Sequence, residues 1–573
     1  MRITLLLSAA AAAALLCASA ATAQRADDHI GHSGAPAPGV LPAMPAIYGG
    51  QADKPGAPVF EGLGTHSHKI STSSPQAQAF FDQGVKLLFG FNHAEAIRSF
   101  REAARIDPKC AMCWWGVAFA LGPNINLAMG EDAVAPAWAA LARAQALAPG
   151  ASPAERAWIE ALATRYTDDP KADRKPLDAA FARAMTGLAE RYPNDLDAAT
   201  FAAEAMMDTQ PWDYWEADGR TPKGNGARII STLEQIMRRD PNHPGALHLY
   251  IHAVEASTTP ERAEAAADRL LLLMPGAGHI VHMPSHIYYR VGRYADSARV
   301  NEQAATADEA YIASCRAQGF YPAGYYGHNI HFLWTSAEMQ GRSEVALTAA
   351  RRLVKAVDAV EFAKGVSLAE LFVFTPVVTL VRFGRWNEVL AEPAPPEELI
   401  LDHAVWRYAR AFALANTGDR AGALAERDRL AAMTSADYAK YAAFNIPAPT
   451  MVSLALALTD GEIARQSGDL PAAVSHFRRA ADLEQLLPYT EPPYWHQPVS
   501  HLLGAALLQA GDAPAAERVY RDSLVHYRRD PWALAGLARA LEAKGEPDAA
   551  KKAWAEQRAA ATGADVSFDG SRF

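Results

Sequence analysis

Small and apolar residues recur along most of the chain with the spacing of paired helices. Residues 77–110 read AQAFFDQGVKLLFGFNHAEAIRSFREAARIDPKC. The small residues Gly84 and Ala96 allow two helices to approach closely, and Phe100 fills the gap between them. Pro108 ends the second helix, because proline lacks the N–H that a helix interior needs. The stretch therefore predicts a helix–turn–helix unit of about 34 residues.

The same pattern is clearest near the C-terminus. Three successive units there carry it, at Gly461, Gly468, Ala473, Phe477 and Ala480, at Gly504, Gly511, Ala516 and Tyr520, and at Gly545, Ala550 and Trp554. We count roughly eleven units in the chain, some of them degenerate. Their spacing resembles that of the tetratricopeptide repeat (TPR) family. Such units bury their apolar faces only by stacking, so the resemblance implies an all-α, TPR-type right-handed α-solenoid with a concave groove.

The repeat pattern also divides the chain into segments. We expect N-terminal TPR-like repeats over 76–309, C-terminal TPR repeats over 310–562 and a tail over 563–573. The N-terminal repeats carry insertions at 122–133 and 208–226, where turns between paired helices are expected. Insertions in a solenoid tend to lie on one face, which is often the binding face.

The second insertion is rich in aromatic residues. Its residues Trp212, Asp213 and Trp215 are expected either to cover the groove or to pin a surface loop with its own aromatics. Because concave repeat surfaces are recognition surfaces, we predict that the partner is a protein, a peptide or a small molecule in the groove.

The N-terminus has the features of an export signal. Arg2 precedes a short apolar run that ends in the small-residue sequence A-T-A before Gln24. We predict a signal peptide over 1–23, a flexible leader containing Pro, Gly and His over 24–75, and a periplasmic or secreted location. No later segment is long and apolar enough to predict a transmembrane span.

Composition excludes several classes of function. The chain has 54 Lys and Arg against 64 Asp and Glu, a formal net charge of −10, whereas nucleic-acid binding needs a basic surface. Four cysteines are too few for a disulfide scaffold. No phosphate-binding loop, dinucleotide fingerprint or serine nucleophile elbow occurs in a fitting context. The sequence therefore assigns no catalytic residue and leaves open whether the protein is an enzyme.

Histidines are concentrated in one part of the repeats. Spacings of three and four residues place them on one face of each helix. When the repeats are aligned by their turns, His248, His282 and His331 take the same position in three successive first helices. Imidazoles from adjacent helices can share an ion, so we predict a transition metal (Zn, Cu, Fe or Ni) as the cofactor. The predicted ligands are His248, His252, His279, His282, His286, His328 and His331.

Two features complicate this cluster. Pro284 breaks a helix unless it stands at the first helical position, and in that case His279 and His282 lie in the approach to the helix. Glu255 and Glu338 each follow a histidine by seven residues on the same helix face. Each is a candidate ligand, an acceptor that orients a histidine, or a general base.

Three interpretations of the histidines stay open at this point. The first is a metal site. The second is a metal-free groove that binds a peptide or an anionic small molecule. The third is a set of hydrogen-bonded buried histidines without a task. The residues predicted to line the groove are Glu255, Tyr289, Glu338, Trp212 and Asp213.

Cys110 and Cys113 form a C-x-x-C pair at the start of a predicted helix. Such a pair can be redox-active, because a helix N-terminus acidifies the first thiol. Trp114 stands where covalent haem attachment requires His. We favour structural thiols or a disulfide over redox catalysis, since cysteine is among the most buried residue types.

The stretches CAMCWWGVAFALGPNIN, GHIVHMPSHIYYRVGRY and GHNIHFLW look like those of secreted bacterial TPR proteins. That resemblance implies the fold and export, and it brings no reaction with it. We therefore expect a periplasmic TPR protein that binds a transition metal, a small ligand or a peptide at its His cluster. The alternative is a metal-dependent enzyme, a hydrolase or an oxidoreductase, built on the same solenoid. A pure assembly scaffold is the third hypothesis.

Overall fold

The structure is a computed structural model that describes residues 41–50, 52–316 and 319–572. The predicted signal peptide, 1–23, and the first part of the predicted leader, 24–40, lie outside the described residues. Among the described residues, every helix is too short or too polar to cross a membrane.

The chain forms two compact units. The first comprises residues up to Ile287 together with Gln303–Tyr326. The second comprises Tyr288–Glu302 together with Gly327–Phe573. The sequence-based division of the repeats near residue 310 therefore falls inside the segment that returns to the first unit.

Helices supply the main regular secondary structure in the described part of the first unit. They are α1 (Pro75–Phe89), α2 (His93–Ile106), α3 (Ala111–Ala120), α4 (Val134–Leu147), α5 (Pro153–Ala163), α6 (Arg174–Arg191), α7 (Leu196–Asp208), α8 (Gly226–Arg239), α9 (Pro244–Val254), α10 (Glu264–Leu270) and α11 (Gly278–His282). Two further helices, α12 (Pro284–Arg290) and α13 (Tyr294–Cys315), contain the sequence boundaries between the units.

The second unit has the same construction. Its helices are α14 (Gly327–Gln340), α15 (Ser343–Ala356), α16 (Ala359–Gly365), α17 (Glu370–Val373), α18 (Thr375–Arg382), α19 (Trp386–Ala391), α20 (Ile400–Asn416), α21 (Arg420–Met433), α22 (Ala439–Ala442), α23 (Ala448–Gln466), α24 (Leu470–Glu484), α25 (Ser500–Gln509), α26 (Ala513–His526), α27 (Pro531–Ala543) and α28 (Pro547–Ala560). Most pack as antiparallel pairs, and no strand occurs among the described residues.

Phe100 shows why the repeat pattern folds in this way. Its ring is fully buried between the first helices of two successive pairs. A Cβ atom placed at Gly84 or at Gly116 would lie 2.5 Å from that ring, closer than van der Waals contact permits. Only glycine lets the aromatic ring enter between the helices, so the small–aromatic pattern is a packing requirement.

The same arrangement recurs in the second unit. A Cβ atom at Gly461 would lie 2.6 Å from the ring of Phe477. The ring of Tyr520 packs in the same way against Gly504 and Gly536. The prediction of an all-α, TPR-like array of helical pairs is confirmed.

The described part of the predicted leader differs from its expected flexibility. Leu63 and Ile70 are buried. A Cβ atom at Gly64, whose φ is +75°, would collide with the carbonyl oxygen of Leu273. The backbone N–H of Ser71 donates to Glu155 at 2.6 Å. These long-range contacts hold the segment on the helices. The described segment itself has no periodic sequence pattern and no regular secondary structure over most of its length.

Both predicted insertions are loops of the first unit, and they meet. The first contains an isolated bridge between Asn124 and Leu127, and the second contains one between Trp215 and Pro222. The indole N–H of Trp212 donates to the carbonyl oxygen of Ile125 at 2.9 Å. The second insertion thus lies against the first.

The predicted tail packs on the second unit over its described residues, 563–572. The ring of Phe568 lies 4.7 Å from that of Trp532. The Arg572 guanidinium donates two hydrogen bonds to Glu462, at 2.7 and 2.9 Å. A bidentate bond of this kind fixes the tail in register.

Candidate metal centre

Helix α9 places two histidines on one buried face of the first unit. It begins with Pro244 at a position that tolerates proline, and a four-residue spacing aligns His248 with His252. Nδ1 of His248 lies 2.7 Å from the carbonyl oxygen of Phe89. A carbonyl only accepts, so Nδ1 carries the proton and Nε2 carries the lone pair.

His252 has the same orientation for a different reason. Its Nδ1 lies 3.3 Å from Oε1 of Glu255, which follows three residues later. The carboxylate accepts from Nδ1, so the lone pair of His252 also lies on Nε2. The Nε2 atoms of His248 and His252 have no hydrogen-bond partner among the residues that the structure describes.

His279 completes a group of three. It belongs to α11, a helix of only five residues that ends at His282. One ring nitrogen from each of His248, His252 and His279 lies within 4.8 Å of the other two. Tetrahedral coordination at about 2.0–2.1 Å requires such nitrogens to lie about 3.3 Å apart.

Aromatic rings close off this His triad, which we define as His248, His252 and His279. The ring of Phe91 lies 4.7 Å from that of His248 and 5.4 Å from that of His279. The ring of Tyr325 lies 4.7 Å from that of His279.

The electrostatics of His248 and His252 favour neutral imidazoles. Burial, followed by the charge of His252, holds the pKa of His248 well below its usual range. Burial also lowers the pKa of His252, against the opposing effect of Glu255. Neutral imidazole is the form that coordinates metals, so these two side chains are ready as ligands without losing a proton.

Glu255 connects the triad to a second pair of histidines. Its Oε2 lies 2.7 Å from Nδ1 of His286. Burial alone would raise the pKa of Glu255, but the charge of His286 and the hydrogen bonds from both histidines lower it to about 2. Nε2 of His286 lies 2.9 Å from Nε2 of His282, whose Nδ1 is 3.2 Å from the Ser285 hydroxyl.

The predicted alignment of His282 with His248 differs from this geometry. The structure groups His248 with His279, and it places His282 in the hydrogen-bonded chain to Glu255. The physical reason is Pro284, which stands at the first position of α12 and ends the preceding helix. The alignment assumed one continuous helix.

Four predicted site residues belong to the second unit. The ring of His328 lies 5.2 Å from that of Phe332. His331 is buried and stacks on Trp334 at 5.1 Å, and burial lowers its pKa to about 3. Their coordination of a metal stays a prediction.

The other two, Tyr289 and Glu338, are also buried. The ring of Tyr289 packs edge-on against that of Tyr294 at 5.3 Å. Burial raises the pKa of Glu338 to about 8. Their part in lining a ligand groove stays a prediction.

Two predicted groove residues, Trp212 and Asp213, belong to the second insertion. The indole of Trp212 packs edge-on against the ring of His252 at 4.9 Å. Asp213 pairs with Lys223 at 2.7 Å. Trp212 therefore covers one edge of the triad, whereas Asp213 stabilises its own loop.

A second cluster, centred on Asp197, was not predicted as a site. Its carboxylate lies 3.0 Å from Nε2 of His66, 2.8 Å from Nδ1 of His68 and 3.1 Å from Nε2 of His243. Burial would raise the pKa of Asp197, but hydrogen bonds from the three imidazoles hold it well below its usual range. Nδ1 of His243 also accepts from the N–H of Ala246 and caps α9. The cluster ties the N-terminal segment to α7 and α9.

Cys110 and Cys113 are joined as a disulfide at the start of α3. The side chain of Cys110 also accepts from the backbone N–H of Cys113 at the helix N-terminus. Both residues are buried, in keeping with a structural pair.

A small cavity adjoins the triad. Phe91 and Tyr325 line it together with Tyr48, His93 and Tyr321. Its volume is about 30 Å³. That space is enough for one or two water molecules.

No protein-family model and no curated protein matches the chain. Solved structures that match include the human IFIT1 dimer with PPP-AAAA, at 11% identity and a TM-score of 0.29, covering 85% of this chain and 91% of that one. Yeast Tom70 matches at 11% identity and a TM-score of 0.26, over 84% and 92%. The APC/C heterotetramer Cut9–Hcn1 matches at 13% identity and a TM-score of 0.26, over 86% and 94%. These similarities are too weak to carry a functional argument.

Proposed function

We propose that the protein is a TPR-like binding protein that holds one transition-metal ion at His248, His252 and His279. The observation that carries the proposal is the pair of buried Nε2 atoms of His248 and His252. Each carries a lone pair and has no hydrogen-bond partner among the described residues. An unsatisfied buried acceptor costs about 1–3 kcal/mol, and a shared metal ion removes that cost at both atoms.

The groups behind the ligands support the same assignment. Metal-bound histidines almost always donate their other ring N–H to a carbonyl or a carboxylate. Phe89 supplies the carbonyl for His248, and Glu255 supplies the carboxylate for His252. Ordinary buried histidines use both ring nitrogens in hydrogen bonds, which these two do not. An all-imidazole set suits Zn, Cu, Fe or Ni.

A metal-dependent enzyme is the second candidate. Three protein ligands leave one tetrahedral position open, as in catalytic zinc sites. The adjoining cavity has room for a water molecule at about 30 Å³. A metal in this site would lower the pKa of a water bound to it, and the Glu255 carboxylate lies behind His252, from whose Nδ1 it accepts.

Export to the periplasm or beyond is part of the proposal. A disulfide between Cys110 and Cys113 persists in oxidising compartments and is rare in reducing ones.

Elemental analysis of the full chain, purified without a His tag, tests the metal site. We expect about one equivalent of a transition metal in the wild type and less than a tenth of that in His248→Ala and His252→Ala. His526→Ala is the control, because His526 is exposed at the end of α26.

Circular dichroism must show that the variants keep their helices. Equal trace metal in all four proteins, with helicity retained, contradicts the proposal. Turnover of an added ester or phosphoester by the metal-loaded wild type would favour the enzyme over the binding protein.

A further inference from the structure

The inner face of the second unit contains a group of buried polar side chains that the metal site does not use. The first helix of each of six helical pairs contributes one such side chain. They are Glu338 on α14, Arg382 on α18, Tyr408 on α20, Glu462 on α23, His501 on α25 and Trp532 on α27. All six are buried. The Trp532 ring and the His501 imidazole both contact Arg382, and the charge of Arg382 affects the pKa values of Glu338 and Tyr408.

Arg382 is the central residue of this group. Its guanidinium is 4% exposed and lies over the ring of Trp532, 4.1 Å from the centroid. Nη1 donates to Oε1 of Gln497 at 3.1 Å and to Nδ1 of His501 at 2.9 Å. Both acceptors are neutral atoms. Nε and Nη2 have no hydrogen-bond partner among the described residues.

Other polar groups without a hydrogen-bond partner cluster around Tyr408, whose pKa responds to the charge of Arg382. The hydroxyl of Tyr408, the indole N–H of Trp495 and both ring nitrogens of His496 have no partner within the part of the chain that the structure describes. The ring of Tyr408 lies 5.2 Å from that of Trp495 and 6.3 Å from that of His496. His496 precedes Gln497, which holds Arg382 directly. The charge of Arg382 also reaches Tyr408 and His496.

The carboxyl groups nearby do not bond directly to Arg382, although the charges of Asp530 and Glu338 oppose the effect of burial on its pKa. Asp530 is bonded to Nε2 of His501, whose Nδ1 accepts from Arg382. Burial raises the pKa of Glu338 to about 8, so this group is largely protonated at neutral pH. Glu462 is bonded to both Arg465 and Arg572.

A buried cation without a directly bonded counter-ion is costly, and burial lowers the pKa of Arg382. Among the described residues, the unpartnered groups around Arg382 and Tyr408 are two guanidinium N–H groups, a phenol, an indole and an imidazole, and the two carboxyl oxygens of Glu338 are unpartnered as well. An oxyanion accepts from all of these donor groups at once, and guanidinium binds carboxylate and phosphate with two parallel bonds. Neither a cation nor an apolar ligand would satisfy them.

We propose that the second unit binds a small oxyanion, a carboxylate or a phosphate, on Arg382, Tyr408, Trp495 and His496. The site is separate from the His triad and does not depend on a metal. Arg382 supplies the positive charge and two N–H donors, and the Trp532 ring packs against its guanidinium group. Tyr408, Trp495 and His496 close the remaining sides of the ligand.

Thermal unfolding of the full chain in a chloride buffer, with increasing inorganic phosphate or acetate, tests the proposal. We expect saturable stabilisation of the wild type by at least one of the two anions. The anion that stabilises the protein shows whether the site prefers a phosphate or a carboxylate. Tyr408→Phe removes a hydroxyl that has no protein partner, so it should leave the ligand-free melting temperature unchanged or higher. The same variant should weaken anion binding at least fivefold.

Arg382→Gln should abolish the stabilisation. Arg427→Gln and Tyr438→Phe are matched controls in the same unit, because Arg427 pairs with Asp460 and the Tyr438 hydroxyl donates to Met433. If Arg382→Gln does not fold, Tyr408→Phe and Trp495→Phe decide the question alone. The absence of saturable stabilisation in the wild type, or equal affinity in Tyr408→Phe and the wild type, overturns the proposal.

Discussion

Nδ1 of His252 lies 3.3 Å from Oε1 of Glu255, while Oε2 of the same carboxylate lies 2.7 Å from Nδ1 of His286. One buried carboxylate therefore orients a member of the His triad and holds the neighbouring histidine chain in place. Its charge also strengthens the basicity of His252 toward a metal ion. Glu255 is thus a positioning residue in the proposed site.

Glu255→Gln should weaken metal binding about 10- to 100-fold and keep one ion per chain. The amide still accepts from His252, but it lacks the negative charge that raises ligand basicity. Competition with a fluorescent chelator measures the affinity, and Glu131→Gln, at an exposed position, is the control. Unchanged affinity in Glu255→Gln would show that the carboxylate has no influence on the metal.

Trp212→Ala should speed the loss of metal to excess chelator several-fold while the stability of the protein changes little. The indole is 41% exposed, so its removal creates no large internal cavity. It covers one edge of His252 at 4.9 Å, and its loss opens a path for the chelator. Trp138→Ala removes an indole that is 40% exposed elsewhere in the same unit, and it should leave the rate unchanged. Equal rates in the two variants would mean that Trp212 does not cover the site.

Gly84→Ala should destabilise the first unit by about 1–3 kcal/mol, which is the usual cost of overpacking. The added methyl would lie 2.5 Å from the Phe100 ring. Gly187→Ala places the same methyl in open space on the exposed side of α6 and should stabilise by about 0.5–1 kcal/mol. Urea unfolding followed by circular dichroism gives both values. A shift of the same sign in both variants would refute the packing account of the repeat.

Glu338→Gln should make stability less dependent on pH between about 5 and 8. Burial raises the pKa of Glu338 from 4.5 to about 8 in the folded state. The unfolded chain loses this proton first, so the folded state loses stability as pH rises from 4.5 to about 8, in total on the order of several kcal/mol. Glutamine does not titrate and avoids this loss.

Melting temperatures at pH 5, 6, 7, 8 and 9 test this prediction. The difference between Glu338→Gln and the wild type should grow with pH and level off above 8. Glu361→Gln changes a carboxylate that is 69% exposed and should show no such trend. A constant difference across the range would contradict the assignment of a buried neutral acid.

The sequence predicted the repeat packing because that packing is local. Gly84 and Phe100 lie within one helical pair, and the Phe100 ring occupies the space that a side chain at position 84 would need, which leaves a readable pattern. His248 and His252 share a face because four residues make about one helical turn. The N-terminal contacts escaped prediction because His66 and His68 reach Asp197 across more than a hundred residues, in a segment without a period.

The parts of the site that sequence missed depend on main-chain atoms or on interrupted helices. The carbonyl of Phe89, which orients His248 from 159 residues away, carries no side-chain signal. His279, one of the predicted ligands, groups with His248 and His252, whereas His282 does not, because α11 ends before Pro284. Arg382 has no recognisable signal in the sequence, because a single arginine in a helix becomes a candidate site residue only when its surroundings are known.

Anomalous diffraction at a metal absorption edge, on crystals of the full chain purified without a chelator, tests the central claim most directly. The account predicts one strong peak inside the first unit, about 2.0–2.1 Å from Nε2 of both His248 and His252 and in contact with His279. A peak at surface histidines only, or none within bonding distance of the triad in metal-loaded crystals, would contradict it.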